Sequence, residues 1–153
     1  MEGGTPEGNR IFGASDAEPD QLWLSVFFTP SEASQAAGQG FLERFRLRAE
    51  DRAPEVNEKV APAQRAAIAK WAAPRDKPYD YLKAIKQPTL VVNGSNDVII
   101  YAVNSFILQQ HLPNAQLILY PDSTHRSQYQ YPELFFRHVS MFLSNGDRAE
   151  WPE

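Results

Sequence analysis

The sequence predicts an α/β fold, a helical N-terminal part followed by a β-α-β-α portion of a parallel sheet. Two apolar runs and the segment between them carry that prediction. Pro88-Thr89-Leu90-Val91-Val92-Asn93-Gly94 and Gln116-Leu117-Ile118-Leu119-Tyr120 are unbroken apolar runs bounded by turn residues. Strands buried on both faces of a parallel sheet read this way. Between them, Tyr101 to His111 places Val103, Phe106, Ile107 and Gln110 at helical intervals. That makes the connection a right-handed crossover.

Taken in order, residues 1–20 hold four glycines and two prolines, which predicts a loose segment. Asp20 to Phe28 places Trp23, Val26 and Phe27 on one helical face; the run is also short and aromatic enough for a strand, and helix is the reading taken. Thr29-Pro30-Ser31-Glu32 predicts a capping box with Thr29 as N-cap and Glu32 at N3. The helix it starts continues through Phe41, Leu42 and Phe45 to about Leu47. Gly38 and Gly40 weaken it by about 1 kcal/mol each relative to alanine. Pro54 and Pro62 punctuate two further helical pieces, the second running to Ala72 with Ile68 and Trp71. Tyr79 to Ile85 is a short helix candidate. Leu112-Pro113-Asn114 reads as a turn, Pro121 to Gln130 as a polar loop, and Pro132 to Leu143 as a final helix carrying Leu134, Phe135, Val139, Phe142 and Leu143.

Composition narrows the function classes. The chain has 153 residues, a hydrophobic share of 42% and a charged share of 22%, which is ordinary globular usage. A formal net charge of −4 gives no general electrostatic reason to bind nucleic acid or an anionic membrane. The interleaved Arg44, Arg46, Arg48, Arg52, Glu43, Glu50 and Asp51 read as a solvated helix face. The absence of cysteine removes disulfides, a thiol nucleophile and thiolate metal sites. No apolar run approaches the roughly 20 residues that span a bilayer, and the first ten residues lack the apolar core of a signal peptide. The expectation is a cytoplasmic protein with no membrane and no nucleic-acid partner.

The chemistry is expected beyond the carboxyl ends of the strands, where open parallel sheets gather their active groups. Asp97 follows the first strand in Gly94-Ser95-Asn96-Asp97, and His125 follows the second in Pro121-Asp122-Ser123-Thr124-His125. Adjacent parallel strands bring these loops side by side. A carboxylate beside an imidazole fixes its tautomer and stabilises the imidazolium formed when it takes a proton. The plainer alternative is that Asp97 closes a turn and His125 is a solvated loop residue. Asp122 is a second candidate acid.

The strings PTLVVNGSND, LPNAQLILYPDSTH and YPELFFRHVSMFL resemble the C-terminal third of the α/β-hydrolase fold family, in the branch of proline-iminopeptidase-like, haloperoxidase-like and esterase-like enzymes. The close match covers residues 82–143. The resemblance implies an incomplete α/β-hydrolase fold with Asp97 as triad acid and His125 as base. It implies a helical cap or lid at 21–77 and the C-terminal portion of the core at 78–145; the domain expectation adds the loose segment at 1–20 and a tail at 146–153. Arg126 departs from the family, which often has glycine after the histidine.

A nucleophile is not found. The family uses G-x-S-x-G between a strand and a helix, where the sharp turn exposes the serine and offers a backbone N–H to the oxyanion. The sequence contains no such string. Gly13-Ala14-Ser15-Asp16-Ala17 comes nearest, but only Ile11 and Phe12 precede it as apolar residues and Pro19 follows closely. It reads as a glycine-rich turn, with Ser15 the weaker alternative as nucleophile.

Other constellations are bland. His111, His125 and His138 do not stand at metal-ligand spacing, and no phosphate loop or dinucleotide fingerprint occurs, so no metal or cofactor is expected. His111 reads as a helix C-terminal residue, His138 as structural, and Tyr129 and Tyr131 as part of a polar-aromatic loop. Two functions follow. In one, the chain supplies acid and base to an ester- or amide-type hydrolase and takes a small-molecule substrate once an N-terminal half completes the site. In the other it is a catalytically silent relic, or an interaction module that docks to another α/β sheet. In either case two such apolar strands predict an exposed sheet edge and self-association.

Overall fold

The computed structural model describes residues 6–13, 18–53, 57–71, 73–74 and 76–145. Ser15 and the 146–153 segment lie outside them. The elements are helices α1 (Pro6–Gly13), α2 (Pro19–Phe27), α3 (Glu32–Leu47) and α4 (Val60–Trp71), a 3₁₀ turn at Asp80–Ala84, strand β1 (Thr89–Gly94), helix α5 (Ala102–His111), strand β2 (Ala115–Tyr120), the single turn α6 (Ser127–Gln130) and helix α7 (Pro132–Asn145).

The two strands pair in parallel, in a register running from Thr89 opposite Ala115 to Gly94 opposite Tyr120. The β-α-β-α order expected from the sequence is present, with α5 as the crossover. Side chains alternate across a strand, so the pairing sorts them. Val91, Asn93, Leu117 and Leu119 share the face toward α5, where the Asn93 amide donates to the Ser105 hydroxyl at 3.1 Å. Tyr120 lies on the opposite face and shares a 2.7 Å hydrogen bond with Nδ1 of His138 on α7. Burial raises the Tyr120 pKa above its ordinary value. His138 is thus tied to the sheet, and His111 stacks on Tyr79 with ring centres 4.4 Å apart.

The strands are less enclosed than their composition suggests. β1 is half-buried until Gly94, and Leu119 of β2 is 41% exposed. The buried apolar cluster lies in the helical part: Leu24, Phe28, Phe41 and Leu42, with Trp23, Phe27, Ala37 and Tyr129 packed against it. Trp23 meets Phe45 edge to face at 4.7 Å, and Phe41 stacks on Tyr129 at 4.3 Å. Gly38, read as a weak point of α3, has a packing reason. A Cβ there would lie 2.6 Å from Leu24 Cδ2 and 2.9 Å from Phe28 Cδ2, so glycine lets α3 approach α2.

Three local expectations are corrected. Pro6–Gly13 is helical despite its glycines, with Pro6 at its first position, Glu7 in its first turn and Arg10 in its last, an arrangement that suits the helix dipole. The N-cap of α3 is Ser31, whose hydroxyl accepts the Ser34 N–H at 3.1 Å, so α3 begins at Glu32. Thr29 stands two residues ahead of this cap; its hydroxyl donates to Asp122 and accepts the Ser31 N–H at 3.4 Å. The loop expected at Pro121–Gln130 ends in the helical turn α6. Among the described residues no helix is long and apolar enough to cross a membrane.

Candidate active site

The two strand ends place their loops against each other, as the spacing predicts. Beyond Gly94 the chain stays paired: the Ser95 N–H donates to the Tyr120 carbonyl at 2.8 Å and the Asn96 N–H to the Ser123 carbonyl at 2.9 Å. This extension brings Nδ1 of His125 to 3.0 Å from Oδ2 of Asp97.

The Asp97 carboxylate is fixed from its other side. Oδ1 accepts the N–H groups of Ile99 at 2.8 Å and Ile100 at 2.9 Å. One oxygen therefore closes a local turn while the other faces the imidazole, so the turn-closing and acid readings of Asp97 are compatible. The Asp97 side chain is 1% exposed and that of His125 is 31% exposed. A buried carboxylate with both oxygens engaged can hold a histidine in one orientation and select the tautomer with the proton on Nδ1. Nε2 is then the nitrogen left to take a proton.

Asp122, the other candidate acid, is committed elsewhere. It accepts hydrogen bonds from the Thr29 and Ser31 hydroxyls. The Ser31 bond, then the Thr29 bond, hold its carboxyl below the usual range. Gln130 joins this knot: its amide donates to the Asp122 carbonyl at 2.8 Å and its oxygen accepts from the Ser34 hydroxyl at 2.8 Å. The Thr124 hydroxyl donates to the Val26 carbonyl at 2.8 Å, and Phe28 forms an antiparallel bridge with Ser123. The loop carrying His125 is thus stitched to the α2–α3 junction. Nothing in the sequence around Thr29 signals a partner so far along the chain.

Arg126 has φ 77° and ψ 49°, the left-handed region, where glycine is the least strained residue. The sequence thus places arginine at a position whose backbone favours glycine. The guanidinium lies 5.2 Å from the Phe27 ring centre and 5.4 Å from that of Tyr129, and donates to the Tyr129 hydroxyl at 2.7 Å. Tyr129, expected in a polar-aromatic loop, is an aromatic anchor within it.

A cleft of about 470 Å³ opens beside Asp97, lined among others by Glu7, Thr29, Asn96, Tyr101 and Asp122. Among the described residues no cluster of histidine, aspartate and glutamate is arranged to hold a metal ion. Ser123 is fully buried, and its hydroxyl has no hydrogen-bond partner among the described residues.

No family model matches the chain. An α/β-hydrolase fold protein from Chitinophaga pinensis is similar over 87% of this chain and 48% of its own, with 38% identity and a TM-score of 0.80. Two curated proteins match shorter stretches. The pimeloyl-[acyl-carrier protein] methyl ester esterase of Nitrosomonas europaea is 43% identical over 54 residues, 35% of this chain and 21% of its own length. A 2-hydroxymuconate semialdehyde hydrolase of Pseudomonas putida is 38% identical over 66 residues, 43% of this chain and 24% of its own. The chain spans about half the length of the solved relative and about a quarter or less of the curated ones.

Proposed function

The chain belongs to the α/β-hydrolase fold family, and from that premise we propose that it supplies the acid and base of a Ser-Asp-His triad in an ester- or amide-type hydrolase. The observation that carries the proposal is the 3.0 Å contact between His125 Nδ1 and the buried Asp97 carboxylate. In this reading Nε2 of His125 takes the proton of an attacking serine hydroxyl and returns it to the leaving group, while Asp97 stabilises the imidazolium between the two steps. The 21–77 segment is the proposed cap, a role supported by the packing of Phe27 and Phe41 on Tyr129 of the His125 loop. A cytoplasmic site of action belongs to the same proposal and is checked by fractionating cells that express the chain.

The sequence holds no G-x-S-x-G, so the serine is proposed to come from a polypeptide outside these residues. The test measures p-nitrophenyl acetate hydrolysis by the chain alone and mixed with the N-terminal half of the Chitinophaga pinensis relative. The expected result is silence alone and turnover in the mixture. That turnover should fall by about 10⁴-fold in Asp97→Asn, the scale of losing the orienting carboxylate, and disappear in His125→Ala. Turnover by the chain alone that Ser15→Ala abolishes would place the nucleophile within this sequence. Silence in a mixture that demonstrably forms a complex would favour the interaction-module reading.

A further inference from the structure

The loop between β2 and α6 contains two non-glycine residues in the left-handed region, Asp122 at φ 46° and Arg126 at φ 77°. Such conformations cost free energy for residues that carry a Cβ, so the surroundings must impose them. His125 lies between the two. On the downstream side Arg126 is fastened to Tyr129 and Phe27. On the upstream side the fastening is the Asp122 carboxylate, with one oxygen on the Thr29 hydroxyl and the other on the Ser31 hydroxyl. Gln130 secures the same residue through its backbone carbonyl. Asp122 does not touch Asp97 or His125 by any hydrogen bond among the described residues. Its covalent path to the imidazole runs through the backbone of Ser123 and Thr124.

We propose that Asp122 is a positioning residue for His125: its clasp on Thr29 and Ser31 locks the 121–127 loop in the conformation that lays Nδ1 of His125 against Asp97. Three observations support this. Both carboxylate oxygens are engaged by hydroxyls of one short segment, which fixes a carboxylate in rotation as well as position. That segment is rigid, because Ser31 also caps α3 and the Thr29 N–H donates to the buried Ser34 hydroxyl at 2.8 Å. Only two residues, Ser123 and Thr124, separate Asp122 from the histidine, and both are buried, so a shift at the clasp has little slack to absorb it.

The inference rests on reading His125 as the base. Its test observes the imidazole and not turnover, so the two readings fail separately. ¹⁵N NMR of the imidazole-labelled chain measures the ratio of the Nδ1–H to the Nε2–H tautomer of His125. Asp97 holds the first form in the intact chain. Asp122→Ala should lower that ratio by about fivefold or more, the factor carried by one ordinary hydrogen bond. Thr29→Val, which breaks the clasp from the opposite side and leaves the Ser31 cap intact, should lower it in the same direction. Asp122→Asn, which keeps one acceptor oxygen, should restore part of it. Leu42→Ala, which loosens the helical core without touching the clasp, should leave it unchanged. An unchanged ratio in Thr29→Val and Asp122→Asn, in chains shown to be folded by circular dichroism, would overturn the proposal even if Asp122→Ala fails to fold. So would a drop in Leu42→Ala as large as in Asp122→Ala, because the effect would then be general loosening.

Discussion

Gly94 lies so close to Ser123 that a Cβ on the glycine would fall on the Ser123 and Thr124 carbonyl oxygens. The last residue of β1 is therefore the point at which the strand and the histidine loop touch through bare backbone. Its φ is not positive, so close approach, and not backbone freedom, makes glycine necessary. Gly94→Ala must push the two loops apart, because backbone cannot swing away as a side chain can. The expected loss of stability is about 3 kcal/mol, at the upper end for overpacking. Chemical denaturation measures it, and loss of the His125 tautomer preference should accompany it.

Gly38 and Gly40 should respond in opposite directions. Gly38→Ala drives a methyl into Leu24 and Phe28 and should cost about 1–3 kcal/mol. At Gly40 the nearest obstacle is the Arg44 guanidinium at 3.3 Å, the end of a flexible side chain. Gly40→Ala should then raise stability by up to about 1 kcal/mol through helix propensity. A pair of melting curves decides it.

Arg126 combines a costly backbone with favourable side-chain contacts. Arg126→Ala loses the contacts to Phe27 and Tyr129 and keeps the strain. Arg126→Gly loses the same contacts and removes the strain. The glycine variant should therefore be more stable than the alanine variant by about 1 kcal/mol, with the parent near the glycine variant because a cation over two rings is worth a similar amount.

The acid limb of stability should depend on Asp122. Its carboxyl titrates below the ordinary 3.8 in the folded chain, chiefly because Ser31 and Thr29 donate to the ionised form. A lowered folded pKa contributes stability that is fully present above the unfolded value. That contribution is lost as pH falls through the folded value. Asp122→Asn should accordingly show a shallower fall in melting temperature below about pH 4 than the parent chain. Parallel slopes would count against this assignment.

Apolar surface should bring copies of the chain together. Val103 and Phe106 on α5, and Phe136, Met141 and Leu143 on α7, are all more than half exposed. Patches of this kind favour association. Sedimentation velocity should show mass rising with concentration, and Phe136→Glu with Met141→Glu should reduce the effect. A concentration-independent monomer would sink the idea.

The legible parts of this molecule were those with local causes. Leu90–Val92 and Leu117–Leu119 declare strands because their apolar runs need no distant partner to be recognised. That Asp97 and His125 meet is legible because each follows shortly after such a run. The misplaced cap at Thr29 has the opposite origin. Thr29 and Ser31 both offer a hydroxyl ahead of the helix, and their shared partner is a carboxylate more than 90 positions away, so no local pattern shows which of them caps. The aromatic character of Tyr129 is legible in its loop, but its stacking on Phe41 is not. The left-handed backbone at Arg126 is equally silent, since arginine does not advertise it.

The stitching of the histidine loop to the α2–α3 junction bears on the order in which the chain folds. Thr89 pairs with Ala115 after closing a loop of 26 positions, whereas the bonds from Thr29 to Asp122 and from Thr124 to Val26 close loops of 93 and 98. Closing the longer loops costs about 1 kcal/mol more in chain entropy, and such distant contacts form late. The β1-α5-β2 unit should gain amide protection first in a pulse-labelled refolding experiment, and Thr29, Ser31 and the 122–127 loop last. The residues that orient His125 would then be the last part of the protein to become rigid and the first to open when it is stressed.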